Sequence, residues 1–128
     1  MAEEKYIMYI LVNSDIKMKP GKTVSQACHV VQVITEKIIT NAYELPTEES
    51  MIDFSYYKQW VKDNSFTKVV LKATTDELIQ LIECSKTSKI KLEVIEDTYR
   101  TEQKHITAVA FYPRNDLKEM MSHYKLLE

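Results

Sequence analysis

Seven apolar residues stand together near the start of the chain, Tyr6 to Val12 (YIMYILV). An unbroken run of β-forming side chains predicts a strand covered on both faces. A polar connection, Asn13 to Gly21, follows. From about Lys22 to about Thr40 the apolar positions Val24, Ala27, Val31, Ile34 and Ile38 take up a helical period. Glu44 to Ser50 (ELPTEES) has proline and acids but no period, and reads as an exposed loop. Ile52, Tyr56 and Trp60, with Tyr57 and Val61, predict a second helix across 52–62. Residues 67–73 (TKVVLKA) predict a second strand. Thr74, with Glu77 three residues on, is a capping-box pattern. It opens a helix expected to bury Leu78, Ile79, Leu81 and Ile82 and to end at Ser85–Ser88. Residues 91–96 (KLEVIE) alternate as a third strand, Asp97 to Gln103 make a polar turn, and 106–112 (ITAVAFY) form a fourth strand. Pro113 and Asn115 open a short helix to about Ser122, with Asn115 as N-cap and Asp116 in the first turn. The tail is expected to pack back through Leu126 and Leu127.

The order β-α-α-β-α-β-β-α predicts an α/β three-layer sandwich with a mixed, mostly parallel four-stranded sheet. The short link between the third and fourth strands makes that pair a hairpin. A length of 128 residues fits one domain, 1–128, with an ordinary core.

Composition narrows the partners. The formal net charge is −2, so a nucleic-acid partner requires a local basic patch. Cys28 and Cys84 stand apart, and no secretion-signal order is present, which together imply a reducing, cytoplasmic setting. His29, His105 and His123 lack zinc-site spacing, so no metal and no other cofactor is expected. The seven-residue apolar run is far below the roughly 20 residues of a membrane helix, so no membrane partner is expected.

The candidate chemistry gathers between Asp15 and Val30 (DIKMKPGKTVSQACHV). This stretch holds the one glycine of the chain, Gly21, and three lysines, Lys17, Lys19 and Lys22. Lys22, Gln26 and His29 are spaced to share one helical face. With the apolar positions turned inward, that row is expected to be exposed. Ligands of such sheets bind at the carboxyl ends of strands and at helix N-termini. Two segments qualify, Asp15–Lys22 and Asp97–Thr101, and codirectional strands bring them to one edge. Each residue also has a plainer reading. A lysine is usually solvated, a lone histidine is usually structural, and Asp97, Arg100 and Thr101 read as a turn with a surface ion pair. Cys28 and His29 diverge by about 100° on the helix, which excludes a nucleophilic pair. The scattered tyrosines suit the core better than base stacking.

The motifs together resemble those of the archaeal and eukaryotic type (type 2) of peptidyl-tRNA hydrolase. The family loop D-L-K-M-G-K-G-K is matched by Asp15-Ile16-Lys17-Met18-Lys19-Pro20-Gly21-Lys22. Its helix I-A-A-Q-C-A-H-A is matched by Thr23-Val24-Ser25-Gln26-Ala27-Cys28-His29-Val30. K-I-V-L-K corresponds to Lys68–Lys72, D-A-G-R-T to Asp97–Thr101, and H-L-K-L-L to His123–Leu127. The resemblance implies a metal-free esterase that releases the peptide from peptidyl-tRNA, commonly as a homodimer. It implies Lys22, His29, Asp97 and Thr101 as catalytic residues. Lys17, Lys19, Gln26 and Arg100 are then substrate-binding. The chain departs from the pattern at Pro20, at Thr98-Tyr99 in place of Ala-Gly, at Glu102 in place of glutamine, and in a segment before the fourth strand about two residues shorter. These departures motivate the alternative of a non-catalytic relative that binds tRNA or a protein partner. A different hydrolase on the same scaffold is a third reading.

Overall fold

The computed structural model describes residues 4–98 and 102–128. The first apolar run forms β1 (Met8–Asn13), buried along its whole length. Its side chains alternate between two cores. Met8 and Ile10 enter one, and Tyr9 and Leu11 enter the other. Helices α1 (Pro20–Glu44) and α2 (Glu48–Asn64) cover the first face through Val30, Ile34, Ile38 and Trp60. Helices α3 (Thr75–Lys86) and α4 (Lys118–Met121) cover the second through Leu78, Leu81 and Met121. Two-sided cover is what an uninterrupted apolar strand demands.

Strands β2 (Lys68–Ala73), β3 (Leu92–Asp97), β4 (His105–Phe111) and β5 (Lys125–Leu126) complete a five-stranded sheet in the order β3-β4-β1-β2-β5. This corrects the expectation of four mostly parallel strands. Among the described residues only β1 and β2 are parallel neighbours. The pairs β1–β4, β3–β4 and β2–β5 are antiparallel. The predicted hairpin of β3 and β4 is present, and it turns β4 against β1. The fifth strand is too short to show a period. It docks by backbone, with Leu127 N–H donating to the Val70 carbonyl at 3.0 Å. Leu126 stays 61% exposed, so it does not grip the core as expected.

Several boundaries also move. Pro20 and Gly21 belong to the first turn of α1, where the missing proline N–H costs no helical hydrogen bond. The expected loop at 44–50 is largely helix. Thr47 caps α2, accepting from Ser50 N–H at 3.0 Å while the Ser50 hydroxyl accepts from Thr47 N–H at 2.7 Å. The Thr74–Glu77 box caps α3 as predicted. Ile79 is exposed, however, because the buried line of this short helix is Leu78 and Leu81. Asn115 caps nothing. The last helix is one turn at 118–121, and the preceding loop is tied by an Arg114–Asp116 ion pair at 2.8 Å.

Strands β1 and β3 are each antiparallel to β4, so they run the same way. Their last residues, Asn13 and Asp97, therefore reach one edge of the sheet. The first turn of α1 lies at that edge too, since Lys22 contacts Asp97.

Candidate active site

The loop that carries Lys17 and Lys19 is fixed at its root. Asn13, at the end of β1, is buried and satisfied on both sides of its amide. Its Nδ2 donates to Thr75 Oγ1 at 2.9 Å and to the Ile106 carbonyl at 2.7 Å. Its Oδ1 accepts from Asp15 N–H at 2.9 Å. Asp15 in turn accepts the Thr75 N–H at 2.8 Å. The far end of the loop enters α1 directly, with Thr23 N–H donating to the Lys19 carbonyl. Lys17 and Lys19 are exposed between these anchors.

The buried stripe of α1 is Gln26, Val30, Ile34 and Ile38. Extended upward by one more turn of four residues, it reaches Lys22. Gln26 is only 4% exposed, whereas Val24 is 61% exposed. This corrects the expected outward row of Lys22, Gln26 and His29. Apolar character misled the helical reading at Val24 and Gln26, because the core beneath this end of α1 is polar. A buried amide is tolerated when its hydrogen bonds are met. The partners of Gln26 are Asp97 and Thr107.

Asp97 faces α1 by the alternation of β3, on the side shared by Glu93 and Ile95. Glu93 pairs with Lys37 of α1 at 2.7 Å, and Ile95 lies in the α1 core. Lys22 Nζ lies 2.6 Å from Asp97 Oδ2. Gln26 Nε2 donates to the same oxygen at 3.4 Å. Thr107 reaches this face through a bulge. The ladder steps from Ile95 opposite Ala108 to Glu96 opposite Ile106, leaving Thr107 without a cross-strand partner. Ile106 packs on the far core and Ala108 on the α1 core. The extra residue lets Thr107 and Ala108 both face α1. The fully buried Thr107 hydroxyl donates to Gln26 Oε1 at 2.5 Å, with the Ile95 carbonyl 3.2 Å away. Because that hydroxyl donates, it sets the oxygen of the amide toward Thr107 and the NH₂ toward Asp97.

The result is a connected line from β4 through α1 to β3, ending in an ammonium–carboxylate pair. The pair is about one-third exposed on each side. The hydrogen bond from Lys22 holds the Asp97 carboxyl below its ordinary range. Partial burial opposes this, and the nearby His29 adds to the lowering. His29 itself is exposed, within electrostatic reach of Asp97. A fixed cation beside a water-accessible carboxylate and imidazole is equipped to stabilise an oxyanion and move a proton. Of the residues expected here, the fold brings Lys22, Gln26 and Asp97 together, sets the exposed His29 on the next turn of α1, and leaves Lys17 and Lys19 on the adjoining loop. Arg100 and Thr101 lie outside the described residues.

The family model described as Peptidyl-tRNA hydrolase PTH2 matches residues 6–127. The chain belongs to this family. A peptidyl-tRNA hydrolase of Saccharolobus islandicus (strain L.S.2.15 / Lassen #1) is 29% identical over 99 residues, covering 74% of this chain and 73% of that one. One of Saccharolobus solfataricus (strain ATCC 35092 / DSM 1617 / JCM 11322 / P2) is 29% identical over 96 residues, with the same coverage. The matched span of this peptidyl-tRNA hydrolase family member contains the basic loop, the polar head of α1, Asp97 and Thr107.

Two residues of the site were not singled out from sequence. The sequence pattern puts Thr107 in an ordinary strand and Asn13 at the start of a loop. A lone hydroxyl inside the run ITAVAFY and an asparagine closing a buried strand were the available signals. Each needed a buried partner that only the fold supplies.

Proposed function

We propose that the protein hydrolyses peptidyl-tRNA at the ester between the peptide, or an N-blocked amino acid, and the 3′-terminal ribose. One observation carries the reading: in a chain of this family, Lys22 and Asp97 meet at 2.6 Å at the mouth of α1. Water attacks the ester carbonyl and gives a proton to His29, which must be neutral to take it. Lys22 stabilises the oxyanion of the tetrahedral intermediate. The intermediate collapses, the bond to the ribose oxygen breaks, and His29 returns the proton to that oxygen. Asp97 holds Lys22 in place, and Gln26 holds Asp97. Thr101 positions the water or the ribose, while Lys17, Lys19 and Arg100 take phosphates near the acceptor end. No step assigned to these residues calls for a metal. The same reading gives one domain over 1–128, acting in the cytoplasm as a homodimer.

The test is release of an N-acetyl-aminoacyl group from tRNA by the purified protein. Release above background is expected, with a strong loss in Lys22→Ala and in His29→Ala. Tight tRNA binding without release would favour the non-catalytic relative. Equal rates in wild type and both variants would remove the assigned roles.

A further inference from the structure

Lys72 of β2 and Lys125 of β5 stand directly opposite each other in an antiparallel pair, so their side chains leave the same face of the sheet. Both are exposed, and among the described residues neither side chain has an ion pair or hydrogen bond. Like charges in this register destabilise a sheet. The two lysines also line a hollow of about 310 Å³ with Ser14 and the exposed His123. Glu77 borders it as well, but its carboxylate accepts the Thr74 N–H at the α3 cap.

The hollow adjoins the basic loop. Ser14 N–H donates to the Ala73 carbonyl, next to Lys72, and Ser14 is also where the chain leaves β1 toward Lys17 and Lys19. Asp15, the acid of that loop, is engaged by the Thr75 N–H. Lysines 22, 19, 17, 72 and 125 thus follow one edge of the sheet, from the β3 side to β5. Four strand spacings separate β3 from β5, or about 19 Å. That span admits several consecutive phosphates and far exceeds a single terminal one.

The geometry points to the Lys72–Lys125 pair as a second phosphate-binding subsite, which grips the RNA backbone away from the ester. The inference rests on the peptidyl-tRNA reading for its choice of polyanion. It assigns this pair to affinity and leaves the chemical step to the Lys22 end.

Binding of deacylated tRNA to the protein across a salt series tests it. Lys72→Gln/Lys125→Gln is expected to lower the slope of log affinity against log salt by about 1.4–1.8. If the two proteins converge near 1 M salt, that slope change means roughly 40-fold weaker binding at 0.1 M. Hydrolysis of a small ester, 3′-O-(N-acetyl-aminoacyl)adenosine, should stay at the wild-type rate. Thermal unfolding confirms that the double variant is folded. Lys125→Gln alone serves if it is not, with about half the slope change. An unchanged slope and affinity overturns the subsite, and so does a wild type that does not bind tRNA. Loss of binding in the variant, with no hydrolysis by any protein, would overturn the catalytic reading and leave the subsite standing.

Discussion

The two ends of one helical stripe do different work. Its lower part, Val30, Ile34 and Ile38, is almost wholly excluded from water and packs on apolar strands. Its upper part, Lys22 and Gln26, continues the same line but meets Asp97 and Thr107. The apolar half holds α1 against the sheet. The polar half uses that rigidity to keep a cation 2.6 Å from a carboxylate. The site is therefore the polar continuation of the core, and mutations in the two halves should separate stability from activity.

The largest effect is expected in the apolar half. Ile34→Ala should cost about 2–5 kcal/mol of stability by leaving a cavity, with activity per folded molecule little changed. Denaturant unfolding beside an active-fraction assay checks this. Lys22→Ala should do the reverse. It should lower kcat/KM by about 10²- to 10³-fold, near 2.7–4 kcal/mol of transition-state stabilisation, while the unfolding midpoint stays close to wild type.

Gln26 and Thr107 sit at the boundary between the halves. Thr107→Val leaves Gln26 Oε1 buried without its donor and should cost about 1–3 kcal/mol of stability. The double variant Gln26→Leu/Thr107→Val removes both partners and should regain much of that stability. It should lose activity, because Gln26→Leu takes from Asp97 its amide donor. A double-mutant cycle in both readouts checks the coupling.

The smallest effect concerns pH. Asp97 is held below its ordinary range chiefly by the Lys22 hydrogen bond. A depressed folded-state carboxyl stabilises the protein above the unfolded value of about 4, and the benefit is lost as pH falls through the folded value. The stability gap between wild type and Lys22→Met should therefore be open near neutral pH and close in acid. A gap constant across that range would show that the pair makes no pH-linked contribution.

Much of this contrast is legible in the sequence. The run Tyr6–Val12 announced a strand buried on both faces, and the Thr74–Glu77 box marked the start of α3. Loop chemistry and strand direction single out Asp15–Lys22 and Asp97–Thr101, and Lys22 and Asp97 of these segments meet. Three features were hidden. The orientation of α1 misread Gln26 and Val24, because hydrophobicity cannot report a polar partner on another element. The bulge at Thr107 adds one residue to one strand, a change that leaves no periodic signal. The strand at Lys125–Leu126 is held by backbone bonds, which side-chain patterns do not reveal.

The central claim is that the Lys22–Asp97 pair at the head of α1 drives ester hydrolysis on tRNA. Single-turnover hydrolysis of N-acetyl-aminoacyl-tRNA by wild type, Lys22→Ala and Asp97→Asn tests it most directly. Rapid release by wild type is expected, with a loss of at least about 100-fold in each folded variant. Release by either variant at the wild-type rate, or none by folded wild type, would contradict it.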